Sequence, residues 1–459
     1  MTGWGKPSGG NSTPSRIQHD ASLVYGVLSD EQSSGFDCTV ALQNAINTTS
    51  DLGVELYLPA GTYNISASVI STKSKFMIRG AGPDTKIRAL ANNFDALVLG
   101  PGNAGSGLVP SGYISFLQIE GPSAAPTTNS KGLFMTGLRH FKVEEVYVNN
   151  FTVGFDMVEN CYGTKFYGCR TIFGGTKAGL ILRGKEGAVW GSGSDIPLYD
   201  CWFHGVDGGV WIHPDGTGYH FYGGQLTGGS GRVADADLFG SVVIGKNFYT
   251  GAVGTVGTVD FNGIDFEGAQ EIWHVRGFGR ANVSFRSCAF LGTNATNLAL
   301  GVIKIDNAEN GQWKFSDNNV DGTYSQASLM QYSGHGTAFS IREEGTLYGY
   351  GCTANGVSVT AGATLTSQAN LNIGVTQGRV GGNPFLGVGR GRWKWNDTTG
   401  RFEFAGANGG GTFTPTVQQV AVPATATSAG QIGDFASDGT YLYTCYAVNT
   451  WRRVAISTW

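Results

Sequence analysis

The sequence of 459 residues predicts an all-β fold: a right-handed parallel β-helix with a short N-terminal capping helix and a C-terminal β region. The first observation is a recurring unit. The stretch VDFNGIDFEG, ending at Gly268, has relatives ending at Gly121, Asn150, Gly174, Gly205, Gly228, Gly292 and Gly322, at intervals of 23 to 40 residues. A unit that returns at such a period with variable insertions cannot bury its own apolar face and must stack on its neighbours. The second observation is alternation. In the central unit Phe261, Ile264 and Phe266 are apolar, polar groups lie between them, and β-branched and aromatic residues dominate its relatives, which is the pattern of a strand. The third is composition. Gly 73 is about twice the ordinary frequency, charged residues are 14%, and the glycines sit among strand-like runs, where they read as turns. A β-sandwich with chance similarity between strands is the alternative.

The same composition excludes several classes. A formal net charge of −4 leaves no footprint for nucleic acid or an anionic membrane. No apolar run reaches transmembrane length, and the first residues lack a signal-peptide core, so secretion by a standard signal is not expected. Seven cysteines at wide spacing argue against a disulfide framework. Cys169, Cys201 and Cys288 share the inward slot of Ile264, with Leu117 and Val146, and are expected to be buried free thiols.

Taken in order, residues 1–35 read as a polar arm. Asp37 is placed to cap a helix over about Cys38 to Asn47, with Val40, Ala41, Ala45 and Ile46 as its apolar stripe. Strands follow at Val54 to Leu58 and Tyr63 to Ile65 around a Pro59-Ala60-Gly61 turn. From about 110 to 345 the units stack, each followed by a second strand: AGLILRG, GVWIHP, SVVIGK, EIWHVRG and GVIKIDN, beginning at 178, 209, 241, 271 and 301. Residues 36–345 therefore form the β-helix. Residues 346–404 form a C-terminal β region with a hairpin about 397–400, and 405–459 a flexible joint and a small β module.

The capped helix, the string LYLPAGTY and the later IRGAG resemble the start of the pectate-lyase-like β-helix proteins, especially bacteriophage tailspikes and surface-polysaccharide depolymerases. The resemblance covers roughly residues 35 to 345. It is specific for the fold and weak for chemistry, since this fold hosts lyases, hydrolases, esterases and non-catalytic fibres. The C-terminal end resembles a module of phage tail fibres, which implies a homotrimer. Tail or baseplate proteins are further expected partners, and the expected location is the virion. The β-helix begins almost at once. Either the arm docks the spike, another protein does, or the sequence is a piece of a longer chain.

Stacking sorts the outward side chains into columns. The Asp265 column contains Gln118, Tyr147, Trp202, Gln225 and Asn319; the Glu267 column contains Glu120, Asn149, His204, Thr227 and Asp321. Residues two apart on a strand lie about 6.5–7 Å apart and rungs about 4.8 Å. Asp265 and Glu267 thus present two carboxylates on one face, with Asp260 in reserve, at a spacing that suits an inverting glycosidase. The bland alternative is that they only solvate the surface. Trp202 and Trp211 alternate outward and are candidates for sugar contact, unless loops or a neighbouring chain cover them. His204, His213, His274 and Arg276 are candidate substrate contacts, and His213, His274 and Arg276 would serve a β-elimination on a uronic acid. Their long spacings match no metal motif, and GPGNAG at 100–105 lacks the strand and helix of a dinucleotide site, so no metal or cofactor is expected. The expected function is binding and hydrolytic cleavage of a bacterial capsule or O-antigen polysaccharide. A lyase on the same scaffold and a non-catalytic receptor-binding fibre are the rivals.

Overall fold

A computed structural model describes residues 18–321 outside positions 74, 101–110, 123–128, 159–160, 172–175, 185–194, 230–237, 268–271, 293–298, 307–311 and 317. Between 322 and 419 it describes the backbone of the strands, and beyond them residues 420–455 except 431–433. The recurring units are the rungs of a parallel solenoid. Their strands form a 20-stranded sheet, and the second strands of each rung form an 11-stranded sheet running from Val69–Ser71 to Val357–Val359.

The large sheet is folded along its length. Seven successive rungs change direction at one residue in the left-handed region: Phe116, Glu145, Gly168, Asp200, Gly223, Gly263 and Ser287, with φ between 49° and 65°. Glycine reaches this region at no steric cost, and Asp tolerates it better than most side chains do. Three walls result. The first comprises the strand segments before the bend, such as Thr258–Asn262; the second those after it, such as Asp265–Glu267; the third is the 11-stranded sheet.

Inside, like residues stack on like. Phe221, Phe261, Phe285 and Phe315 form a column with ring centroids 4.7, 5.0 and 5.1 Å apart, and Phe266 stacks on Phe290 at 4.7 Å. These distances equal the rung spacing, so each ring meets the next without leaving its rotamer. Burying each contributes about 1.5–3 kcal/mol. The expected cysteine slot is also inside: Cys169, Cys201 and Cys288 are buried free thiols beside buried Ile264, Leu117 and Val146.

The N-terminal boundary differs from the sequence reading. Gln18–Asp20 pairs in parallel with Glu55–Leu58, and Asp20 caps a short helix, α1 (Ala21–Tyr25), so the solenoid starts inside the expected arm. Helix α2 runs Thr39–Leu52, five residues beyond the expected end, and stops where Gly53 takes φ 66°. Asp37 accepts from the Thr39 N–H at 3.0 Å, although Cys38 holds the cap position. The buried face carries Leu42, Ala45 and Ile46, whereas Val40 is 72% exposed. At the other end, Thr364–Ser367 still pairs with Ser340–Glu344, so the solenoid passes residue 345. The hairpin Gly391–Asn396 with Arg401–Ala405 is antiparallel, as expected, with 397–400 outside the described residues. Most of the expected joint, 406–412, also lies outside them. The last strands, Asp434–Ser437, Tyr441–Ala447 and Thr450–Ala455, close over a small cluster of Ala436, Tyr443, Cys445 and Trp451.

Candidate functional site

The outward columns on the second wall follow the expected register. Gln118, Tyr147, Arg170, Trp202, Gln225, Asp265, Ala289 and Asn319 are successive ladder partners. Along this column, at the bend, lies a depression of about 290 Å³ lined by Arg170, Asp200, Trp202, Gly224, Gln225, Gly263 and Asp265. Its shape comes from the bend. Asp200 takes φ 51°, and its carboxylate occupies the space above Gly223, where an added Cβ would come within 2.4 Å of it. Gly224 has φ 86°, and a Cβ there would meet the Cys201 carbonyl at 2.1 Å.

Three charged groups converge here. Arg170 lies with its guanidinium 5.4 Å from the centroid of the Tyr147 ring, a cation–π contact. Among the described residues, Arg170, Asp200 and Asp265 have no ion pair. Unpaired charges in a concavity are what a site for a polar ligand requires. Glu267 lies at the rim, exposed, and its carboxylate accepts a hydrogen bond from the Gln225 amide. Trp202 is half-buried in the wall of the depression rather than fully outward.

The other candidates are elsewhere. Asp260 faces outward on the first wall, where its carboxylate accepts from Ser284 Oγ at 2.5 Å and lies 2.9 Å from His220 Nδ1. A carboxylate only accepts, so Nδ1 carries a proton, and in the neutral tautomer of the ring Nε2 is the acceptor. His204, in the Glu267 column as expected, is 5% exposed, and burial pushes its imidazole down to about 4. Its surface role is therefore corrected: a covered, neutral ring is not placed to contact a polymer. Trp211 does point away from the core but is 3% exposed, packed 5.1 Å from Phe248 and 6.2 Å from Phe239. His213 accepts a hydrogen bond from the Phe248 N–H at 2.9 Å, and burial, with the Arg183 charge beside it, pushes it down to about 3. His274 is fully buried beside the stacked pair of Phe266 and Phe290, and burial pushes it to about 3 as well. Arg276 is 1% exposed, paired with Asp306 and bonded to the Lys304 carbonyl at 2.9 Å. These four are corrected from substrate contacts to parts of the interior.

The insertion after the Gly240–Ile244 strand explains two of those corrections, Trp211 and His213. Its residues fold back onto the third wall, where the Tyr249 hydroxyl donates to Asp156 at 2.6 Å and Arg183 holds the same carboxylate through two bonds of 2.8 and 2.7 Å. This segment is thus pinned on the third wall, away from the depression. No cluster of metal-binding type occurs among the described residues.

Sequence reasoning missed Asp200, Arg170 and His220. Asp200 had a signal: it precedes Cys201 in the slot held by Gly168 and Gly263 in other rungs, so an acid there replaces a turn glycine.

Comparison with known proteins bears out the resemblance carried by the helix and LYLPAGTY. Residues 25–248 match the family described as rhamnogalacturonase A/epimerase, pectate lyase-like. A capsule K30/K69-specific depolymerase of Klebsiella phage K64-1 is 61% identical over 41 residues, 9% of this chain and 5% of that protein. Depolymerase 1 of Klebsiella phage K5-2, also K30/K69-specific, is 54% identical over 39 residues, 8% and 5% of the two chains. The match thus spans about a twentieth of the length of these curated relatives. Among solved structures, the gp42 tailspike of Acinetobacter phage vb_AbaP_AS12 superposes with a TM-score of 0.50 at 11% identity, covering 96% of this chain and 82% of that one. The catalytic unit of a GH87 α-1,3-glucanase from Streptomyces thermodiastaticus gives 0.52 at 13% identity, over 80% and 70%. At these identities the two structures speak for the fold alone.

Proposed function

We propose that this chain is a phage tailspike that binds and cleaves a bacterial capsular polysaccharide by hydrolysis of a glycosidic bond. The observation that carries the reading is the depression on the second wall, where Asp200 at the bend and Asp265 two rungs on both line the cavity, with Trp202 and Arg170 in the same lining. The two phage depolymerases, acting on capsule by their names, support the substrate class. In this reading one of the two carboxyls, protonated, gives its proton to the leaving glycosidic oxygen. The other takes a proton from a water that attacks the anomeric carbon. Glu267, held by Gln225 at the rim, contacts an adjoining sugar.

A second reading rests on His220. Its proton partner Asp260 fixes Nδ1 as the donor, which leaves Nε2 as a base for β-elimination on a uronic acid. A panel of purified capsular polysaccharides tests both. New reducing ends without absorbance from a C4–C5 double bond indicate hydrolysis, and such absorbance indicates the lyase. Asp265→Asn and Asp200→Asn should each lower turnover by about 10²–10⁴ and keep binding, whereas Glu267→Gln should mainly raise KM. Full turnover in Asp265→Asn would remove the proposed pair.

A further inference from the structure

The unpaired charges are unevenly spread over the two outward faces of the folded sheet: carboxylates gather around the bend and the second wall, with Arg170 among them, and cations stand apart on the first wall. At the bend and on the second wall stand Glu145, Asp200, Asp265 and Glu267. On the first wall, Lys165 and Arg286 are exposed and, among the described residues, have no acidic partner. The two acids between and beside them are engaged: Glu144 with Lys142 at 2.8 Å, and Asp260 with His220.

Between Lys165 and Arg286 runs a ridge of tyrosines. Tyr167, Tyr199 and Tyr222 occupy one outward column, their rings stacked at 5.0 and 5.1 Å and within 15° of parallel. Because the ring faces cover one another, what meets solvent is ring edge and hydroxyl, and Tyr222 is 37% exposed. Such a ridge is rigid and offers donors and acceptors at every rung, which suits hydroxyl-rich ligands better than apolar ones. Lys165 and Arg286 stand four ladder steps apart, about 19 Å at the usual rung spacing.

We propose that the first wall is the docking surface for an acidic polysaccharide, one whose sugars carry carboxylates at intervals along the chain. This rests on the polysaccharide reading above and narrows it to a substrate class. Two separated cations joined by a hydroxyl ridge match widely spaced anionic sugars. A nucleic acid, with a charge about every 1.7 Å, would meet the acids of the bend as soon as it met the cations. The polymer lies along the first wall, and the bend delivers one of its linkages to Asp200 and Asp265.

Isothermal titration of the full chain against a panel of purified capsular polysaccharides tests this, each polymer taken native and after reduction of its carboxylates to alcohols. The tightest binder should be a carboxylate-bearing polymer, and reduction should weaken it at least tenfold. The double variant Lys165→Gln/Arg286→Gln should bind the native polymer as weakly as the unaltered chain binds the reduced one, with no further loss on reduction and unchanged circular dichroism. Equal affinity for native and reduced polymer, or unaltered affinity in the double variant, overturns the proposal. Release of reducing ends from a neutral polymer would do so while leaving the polysaccharide reading intact. Absence of binding to every polymer, or tighter binding to single-stranded DNA, would remove both.

Discussion

At the scale of single residues, the buried imidazoles have a consequence for stability. His204, His213 and His274 are held neutral in the fold, with values of about 4, 3 and 3 set chiefly by burial. The unfolded chain protonates them near 6.5, so between that pH and the folded values it binds protons that the native state excludes. Their contribution is therefore complete above pH 6.5 and is lost as the pH falls below it. Lowering the pH from 7 to 5 should cost about 2 kcal/mol for each of His213 and His274. Urea unfolding at the two pH values measures this, and a midpoint that does not move would refute it. His213, with Trp211, also shows what one sequence conceals. Alternation tells which way a side chain leaves the strand, not what lies over it. Trp211 leaves the third wall outward, as the pattern says, and an insertion carrying Phe248 and Tyr249 covers it. Asp265 was legible because its side chain stays exposed as its outward register says, whereas Asp200 sits in a turn-glycine slot that outward alternation does not mark.

At the scale of the element, the rung is held by its aromatic columns. Phe266 is fully buried, stacked on Phe290 and edge-on to Phe261 and Phe285. Phe266→Ala should destabilise by about 3–5 kcal/mol through lost burial and the cavity left behind, and Phe266→Asp by more, since its charge would lie unpaired. Denaturant midpoints read both; an Asp variant as stable as the unaltered chain would mean the rung repacks around the site. Strands of this kind were readable because apolar residues at every second position, closed by a glycine, recur often enough to align. The far end of the solenoid was less so: Val357–Val359 and Thr364–Ser367 are too short to announce their pairing. Helix α2 outran its expected end because Thr48 and Thr49, poor helix formers, bond back to the carbonyls of Asn44 and Ala45 at 2.9 and 2.8 Å.

At the scale of the whole molecule, the C-terminal strands and the likeness of the chain's end to tail-fibre modules lead us to propose a homotrimer carried on the virion. Light scattering should give about three times the 48.3 kDa chain mass, and truncation after Ser367, which spares the solenoid, should reduce it to a monomer. A stable monomer of the full chain at micromolar concentration would refute the assembly. One feature of the solenoid reaches beyond this protein's present state. The left-handed slot at the bend repeats through seven successive rungs and holds glycine in three of them and an acid, Glu145 or Asp200, in two. An exchange of residues between two such slots would move a carboxylate along the axis by a whole step of about 4.8 Å, with its backbone geometry already in place. If the proposed hydrolysis holds, the repeat works as a ruler on which evolution can slide the point of scission from one linkage of the polymer to the next, leaving the core untouched.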